Sequence, residues 1–201
     1  MYGSVTLTKI GHKIMSGIIN TVQSQSRIIG SGVPDRTDIS CRAWRANNFA
    51  PNDNTTTPIP FNDSSSNQTW DTDNMHNPSG SGADRTQWVV CKTEGLYVIT
   101  GGVKYKNDSH AGYRTLYIYL NGTQSEGNQA SGGRLIAWQN QQPDSTSDHH
   151  FINVTAVWHL KVNDHVELLT SIGGVGNNSM YSWDNYLIVA KIADNTSSID
   201  I

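Results

Sequence analysis

Beyond residue 35 the apolar residues of this chain recur at intervals of two, in short runs broken by Gly, Asn, Asp and Ser. Alternation of this kind predicts half-buried strands. Ten runs stand out, at 40–45, 57–62, 69–72, 86–91, 95–104, 113–121, 134–139, 150–161, 165–172 and 181–192. Asn121-Gly122 and Asn163-Asp164 mark reversals between long runs, because Asn and Gly accept the left-handed backbone that tight turns need. No helical period survives after residue 35. Many short strands with little helix predict an all-β sandwich or jelly roll of about ten strands, in which a second sheet covers the apolar face of the first. Segments 47–57 and 139–148 are polar throughout and read as surface loops.

Residues 1–35 follow a different pattern. Met15, Ile18, Val22 and Ile29 fall at a and d spacing, and Ile14 and Ile19 widen the stripe. Gly17 and the β-branched residues lower its helix propensity, so a helical or extended segment packing on the next domain competes with an oligomerisation arm. Gly30 to Asp35 has linker composition. The expected organisation is an N-terminal attachment segment and linker at 1–35, a β domain at 36–194, and a tail at 195–201.

The strand faces carry a second message. In 115–121, Leu116, Ile118 and Leu120 oppose Tyr117 and Tyr119, and in 95–105, Leu96 and Val98 oppose Tyr97, Ile99, Val103 and Tyr105. Ile152, Val154, Ala156, Trp158 and Leu160 share one face of their run. A sheet with one wet face should carry polar groups there, so rings on both faces suggest cover by another subunit. Tyr97, Tyr105, Tyr117 and Tyr119 are therefore predicted at a subunit interface. The competing reading is a ring lying flat on its own sheet with its hydroxyl in water.

Composition narrows the function. Charged residues are 15% of the 201, against about 25% in an average domain, while Asn, Ser and Thr fill 58 positions. A net charge of -3 supplies no basic field for nucleic acid or an anionic membrane. No run approaches the ~18 apolar residues of a membrane span, and the N-terminus lacks the charged and apolar regions of an export signal. Cys41 and Cys91 suit a bridge or two buried thiols equally.

Candidate chemistry is sparse. Asp71-Thr72-Asp73-Asn74 has the oxygens of half a calcium loop, but it lacks the Gly at the sixth and the acid at the twelfth position, so a turn held by Asx hydrogen bonds is favoured. His149 and His150 alternate in an extended chain and cannot ligate side by side, and no metal or other cofactor is expected. No Gly-x-Ser-x-Gly elbow or His-Glu-x-x-His is present. Gly173-Gly174-Val175-Gly176 has no Walker lysine, and Glu94, Glu126 and Glu167 form no evident acid pair. An enzyme is not expected. His110, Trp138 and His149, set among amide-rich loops, could stack on sugar rings or touch a receptor; the plainer reading is a soluble loop with an accidental ring.

Taken in order, Trp70-Asp71-Thr72-Asp73-Asn74-Met75-His76-Asn77-Pro78, Gly95-Leu96-Tyr97-Val98, Gly112-Tyr113-Arg114 into Leu120-Asn121-Gly122-Thr123, Leu160 through Leu168, and Ser182-Trp183 to Ile192 resemble the C1q/TNF-like jelly roll, more closely its bacteriophage and bacterial members than the vertebrate ones. Asn163-Asp164 stands where that family has Gly-Asp, and Trp183 stands near its usual Phe. No Gly-X-Y collagen stalk is present, so complement or cytokine function is not implied. The resemblance implies a homotrimer around an aromatic-lined axis. It further implies a phage virion protein, assembled in the host cytoplasm and displayed on capsid or tail. Ile14, Met15, Ile18 and Val22 would contact other virion proteins, and a host-surface glycan or protein would be a partner of the knob. A capsid decoration protein that only reinforces the shell, and a non-viral lectin-like or cytokine-like module, are the alternatives.

Overall fold

The chain divides into two units, Met1–Asp35 and Arg36–Ile201. The computed structural model describes residues 39–45, 47–51, 54–62, 69–79, 86–105, 112–122, 133–142, 150–173, 180 and 184–194, all in the second unit. Ten strands follow in order: β1 Ser40–Arg45, β2 Thr57–Pro58, β3 Trp70–Asp71, β4 Trp88–Val90, β5 Gly95–Tyr105, β6 Tyr113–Leu120, β7 Arg134–Gln141, β8 His150–Leu160, β9 His165–Gly173 and β10 Asn185–Ala193. The first sheet runs β3-β1-β10-β5-β8 and the second runs β2-β9-β6-β7, with β4 pairing β9 further along the edge that β2 occupies. Every pairing is antiparallel.

The alternating runs become strands because each buries one face against the opposite sheet. Ile99 and Val103 of β5, Ile152 and Val154 of β8, and Leu187 and Val189 of β10 meet Leu116, Ile118, Val166, Leu168 and Ile172 of the second sheet. Each fully buried aliphatic side chain contributes about 1.5–3 kcal/mol before entropy is charged against it. Gly101 lets Leu168 of the opposite sheet pack directly on the backbone, since a Cβ there would come within 2.3 Å of Leu168 Cδ1. The two runs read as reversals have the expected backbone: Asn121 has φ 57° and Asn163 φ 73°.

Asp164 stitches these turns together. Its Oδ2 accepts the Lys161 amide at 2.8 Å and its Oδ1 accepts Asn121 Nδ2 at 2.8 Å. Its carbonyl accepts the Cys91 amide at 2.7 Å. Asn121 Oδ1 in turn accepts the His165 amide at 2.9 Å. One carboxylate thus ties the β8–β9 turn to the end of β6.

Three expectations are corrected. Tyr97 and Tyr105 point into the core, both at 0% exposure, and leave no ring surface for a neighbouring subunit. The odd positions of β5 face inward, and each hydroxyl finds a partner there: Tyr97 donates to Thr93 O, and Tyr105 Oη pairs with Thr170 Oγ1 at 2.7 Å. A satisfied hydroxyl removes the penalty of burying a tyrosine's polar tip. Burial raises the pKa of both phenols. Second, residues 139–141 are not loop but the end of β7, where Asn140 Nδ2 donates to Thr115 Oγ1 at 2.7 Å; an edge strand needs cross-strand bonds, not burial. Third, the 57–62 run makes a ladder only at Thr57–Pro58. Pro58 and Pro60 have no N–H to give, and the chain continues along the second sheet through Ile59 N to Leu168 O at 2.9 Å. Cys41 and Cys91 are buried free thiols.

Candidate functional site

The outer face of the first sheet is organised by register. Ser40, Ala190, Val98 and Val157 form one cross-strand row. Trp70, Arg42, Ile188, Thr100 and Thr155 form the next, and Trp44, Tyr186, Gly102 and Asn153 a third. Lys104 lies opposite Phe151 beyond them. Most solvated sheet faces carry charge; this one carries β-branched, aromatic and hydroxyl groups, with Arg42 central and Lys104 at the margin.

Its rings are fixed in place. Arg42 Cζ sits 4.8 Å from the Trp44 ring centroid, 5.5 Å from Trp70 and 5.1 Å from Tyr186, so three rings share one guanidinium. Contacts of this kind are worth about 0.5–1 kcal/mol each when exposed and more when dry. Burial pulls the Arg42 guanidinium down from its ordinary pKa, opposed by Tyr186 and Asp184. Tyr186 crosses over Gly102, where a Cβ would lie 2.6 Å from Tyr186 Cζ, and its hydroxyl donates to Asn153 Oδ1 at 3.1 Å. Phe151 tilts against it at 6.3 Å. Trp70, Phe151 and Val157 nevertheless keep 42%, 43% and 55% of their surfaces exposed, and Ile192 at the β10 bulge is also open. Trp70 lies on the β3 edge of this face and Phe151 and Val157 on the β8 edge, with Arg42, Ile188 and Thr100 across the row between them.

The predicted residues fall elsewhere. Tyr117 and Tyr119 project, half-buried, from the outer face of the second sheet, edge to face at 6.3 Å. Burial raises the Tyr119 phenol, helped by Tyr117 and Glu167. Trp138 lies directly across from Tyr117 on β7 and is 60% exposed. His110, His149, Ile14, Met15, Ile18 and Val22 lie outside the described residues. Sequence reasoning missed Arg42, Trp44, Trp70, Phe151 and Tyr186. The available signal was the odd face of 150–160, where Phe151 and Val157 stand among Asn153 and Thr155, opposite an apolar set already assigned to the core.

The 71–76 segment is a self-contained turn. Asp71 Oδ1 accepts the amides of Asp73 at 3.2 Å and Met75 at 2.9 Å, and Oδ2 accepts that of His76 at 2.8 Å. Asp73 Oδ2 accepts Thr93 Oγ1 at 3.0 Å, and Asn74 supplies a φ of 51°. This is the Asx-bonded turn of the sequence reading. An adjoining cleft of about 310 Å³ is lined by Asn74, His76, Trp88 and Lys92. The ring of His76 is held between Trp88 O (Nδ1, 2.9 Å) and Phe61 O (Nε2, 2.8 Å), serving as a strut between segments.

No family model matches the sequence, and no curated protein matches it. Solved structures do. The globular domain of zebrafish complement 1qA protein matches with a TM-score of 0.51 at 15% identity, over 79% of this chain and 99% of that one. The Eiger TNF of S. frugiperda matches with a TM-score of 0.48 at 14% identity, over 78% and 94%. The described residues form two antiparallel sheets from ten strands, and the fold of this chain is the C1q/TNF-like jelly roll.

Proposed function

We propose that this chain is a phage virion structural protein whose jelly roll forms a homotrimeric knob, displayed on capsid or tail and engaging the host surface. The observation that carries the trimer is the aromatic face of the first sheet. Trp70, Phe151 and Val157 are left open on a face where the Arg42 guanidinium is shared by three rings, an aromatic and Arg-bearing composition that suits an interface. Closed rotational symmetry buries such a patch on every copy without leaving a free edge for further growth. The virion role rests on the resemblance of the ordered sequence motifs to phage members of the C1q/TNF-like jelly rolls, and the attachment role of residues 1–35 on their separate apolar stripe.

Two measurements test the reading. Light scattering behind size exclusion should return three times the chain mass at micromolar concentration, and a monomer would end the trimer. Electron microscopy of virions labelled with antibody to this protein should show label at fixed positions on the particle; unlabelled particles from a culture that expresses the protein would end the virion role.

A further inference from the structure

The second sheet also has an outer face, and its chemistry differs from that of the first. β6 sends Tyr113, Thr115, Tyr117 and Tyr119 outward, and the register sets Trp138 beside Tyr117, Leu135 beside Tyr119 and Asn140 beside Thr115. Same-face residues along a strand are about 6.8 Å apart and neighbouring strands about 4.8 Å, so these rings pave a shallow strip and enclose no pocket. The strip is held by the ladder itself. Tyr117 and Tyr119 are half-buried, Tyr113 crosses Gly173 with 40% of its surface exposed, Leu135 is 41% exposed, and Trp138, at 60%, stands furthest clear.

We propose that this strip binds a neutral hexopyranose glycan, with Trp138 and Tyr117 stacking against sugar faces and Asn140 hydrogen-bonding a ring hydroxyl. The inference deepens the host-surface part of the function proposed above and rests on it. Three observations select this occupant. The outward side chains of β6 and β7 include no charge, and the acid nearest in register, Glu167, is fully buried with Trp88 Nε1 donating to it at 3.3 Å. Among the described residues, the outward side chains of β6 and β7 offer an anionic ligand no cation. Next, Asn140 gives one N–H of its amide to Thr115 Oγ1, which orients the amide and leaves its carbonyl as a placed acceptor and its second N–H as a donor for sugar hydroxyls. Finally, the strip sets the exposed apolar surfaces of Trp138, Tyr113 and Leu135 beside the exposed amide of Asn140, so stacking and hydrogen-bonding groups share one face. Sugar rings present an apolar face and a polar rim, the same pairing that Trp138 and Asn140 offer. A platform on paired strands loses little freedom on binding, so weak stacking is not spent on ordering the site.

The test titrates the full chain with malto-, cello-, manno- and galacto-oligosaccharides, with sialyllactose and a heparin fragment as charged controls. Calorimetry and tryptophan emission are read together. At least one neutral series should bind saturably with an emission change. Trp138→Ala should weaken it at least tenfold and Tyr117→Ala by a smaller factor, while Trp138→Phe should keep most of the affinity and lose the emission change. Val157→Arg, on the other sheet, should leave the intrinsic affinity per chain unchanged. Trp138 is mostly in water, so its variants should melt as the parent does. The proposal is overturned if no neutral series binds, if only the charged controls bind, if the only partner found is a protein, or if Trp138→Ala binds like the parent. A trimer that binds no neutral sugar ends this inference and spares the knob; a monomer that binds sugar through Trp138 does the reverse.

Discussion

Val157→Arg separates a subunit interface from an ordinary wet sheet. In a single chain Val157 is 55% exposed and sits opposite Val98 on the neighbouring strand. An arginine there reaches water freely, and exposed substitutions of this type alter stability by no more than about 0.5 kcal/mol. In a trimer closed over this face the same arginine is sealed among Val98, Ala190 and a neighbour's apolar groups. An unpaired charge enclosed at an interface costs about 2–5 kcal/mol, and each 1.4 kcal/mol is tenfold in affinity. Each contact should therefore weaken by roughly 30- to 4,000-fold, enough to move a micromolar assembly to monomer. Light scattering gives the mass, and circular dichroism with thermal melting confirms that the isolated fold survives. A variant that remains trimeric with an unchanged melting point would refute the placement of the interface on the first sheet, while a variant that unfolds would show that Val157 supports the monomer.

Other consequences of the structure are as direct. Asp164→Ala removes acceptors for Lys161 N and Asn121 Nδ2 at the junction of β6, β8 and β9; at roughly 1–1.5 kcal/mol per hydrogen bond it should cost about 2–3 kcal/mol and lower the melting temperature by roughly 5–10 °C, and an unchanged melt would show that the turn holds itself. Gly101→Ala drives a Cβ to within 2.3 Å of the fully buried Leu168 and should cost about 1–3 kcal/mol in chemical denaturation; a neutral result would mean the sheets can part locally. Burial raises Cys41 and Cys91 above their ordinary 9.0, and Tyr97 and Tyr105 above 10.0. Below about pH 8 both states hold these protons and the groups add nothing to the pH dependence; above it the unfolded chain ionises first, so stability should fall as pH rises, by up to about 1.4 kcal/mol per unit for each group in play. Urea titrations that stay level from pH 8 to 11 would contradict the burial. In the native protein both thiols should resist Ellman's reagent, and in denaturant two per chain should react.

Much of the architecture was legible in the sequence, because the period-two signal is a local consequence of strand geometry. The ten runs, the left-handed Asn121 and Asn163, the Asx-bonded turn at Asp71 and the inward face of β8 all follow from neighbours within a few residues. So does the jelly-roll class, once strand number and the absence of helical period after residue 35 are put together. The site was harder to see. Alternation divides β5 into Leu96 and Val98 against Tyr97, Ile99 and Tyr105, yet both sets are apolar, so nothing local says which one faces the opposite sheet.

That choice belonged to the tertiary structure. Tyr97 and Tyr105 face inward because Thr93 and Thr170, the second of them distant in sequence, supply partners for their hydroxyls. Arg42, Trp44, Trp70, Tyr186 and Phe151 become one surface only when β1, β3, β10, β5 and β8 line up in register. Trp138 becomes a platform only because β7 pairs it with Tyr117. Periodicity assigns two faces to each strand, whereas the pairing of segments up to about 150 residues apart decides which face is core and which rings meet.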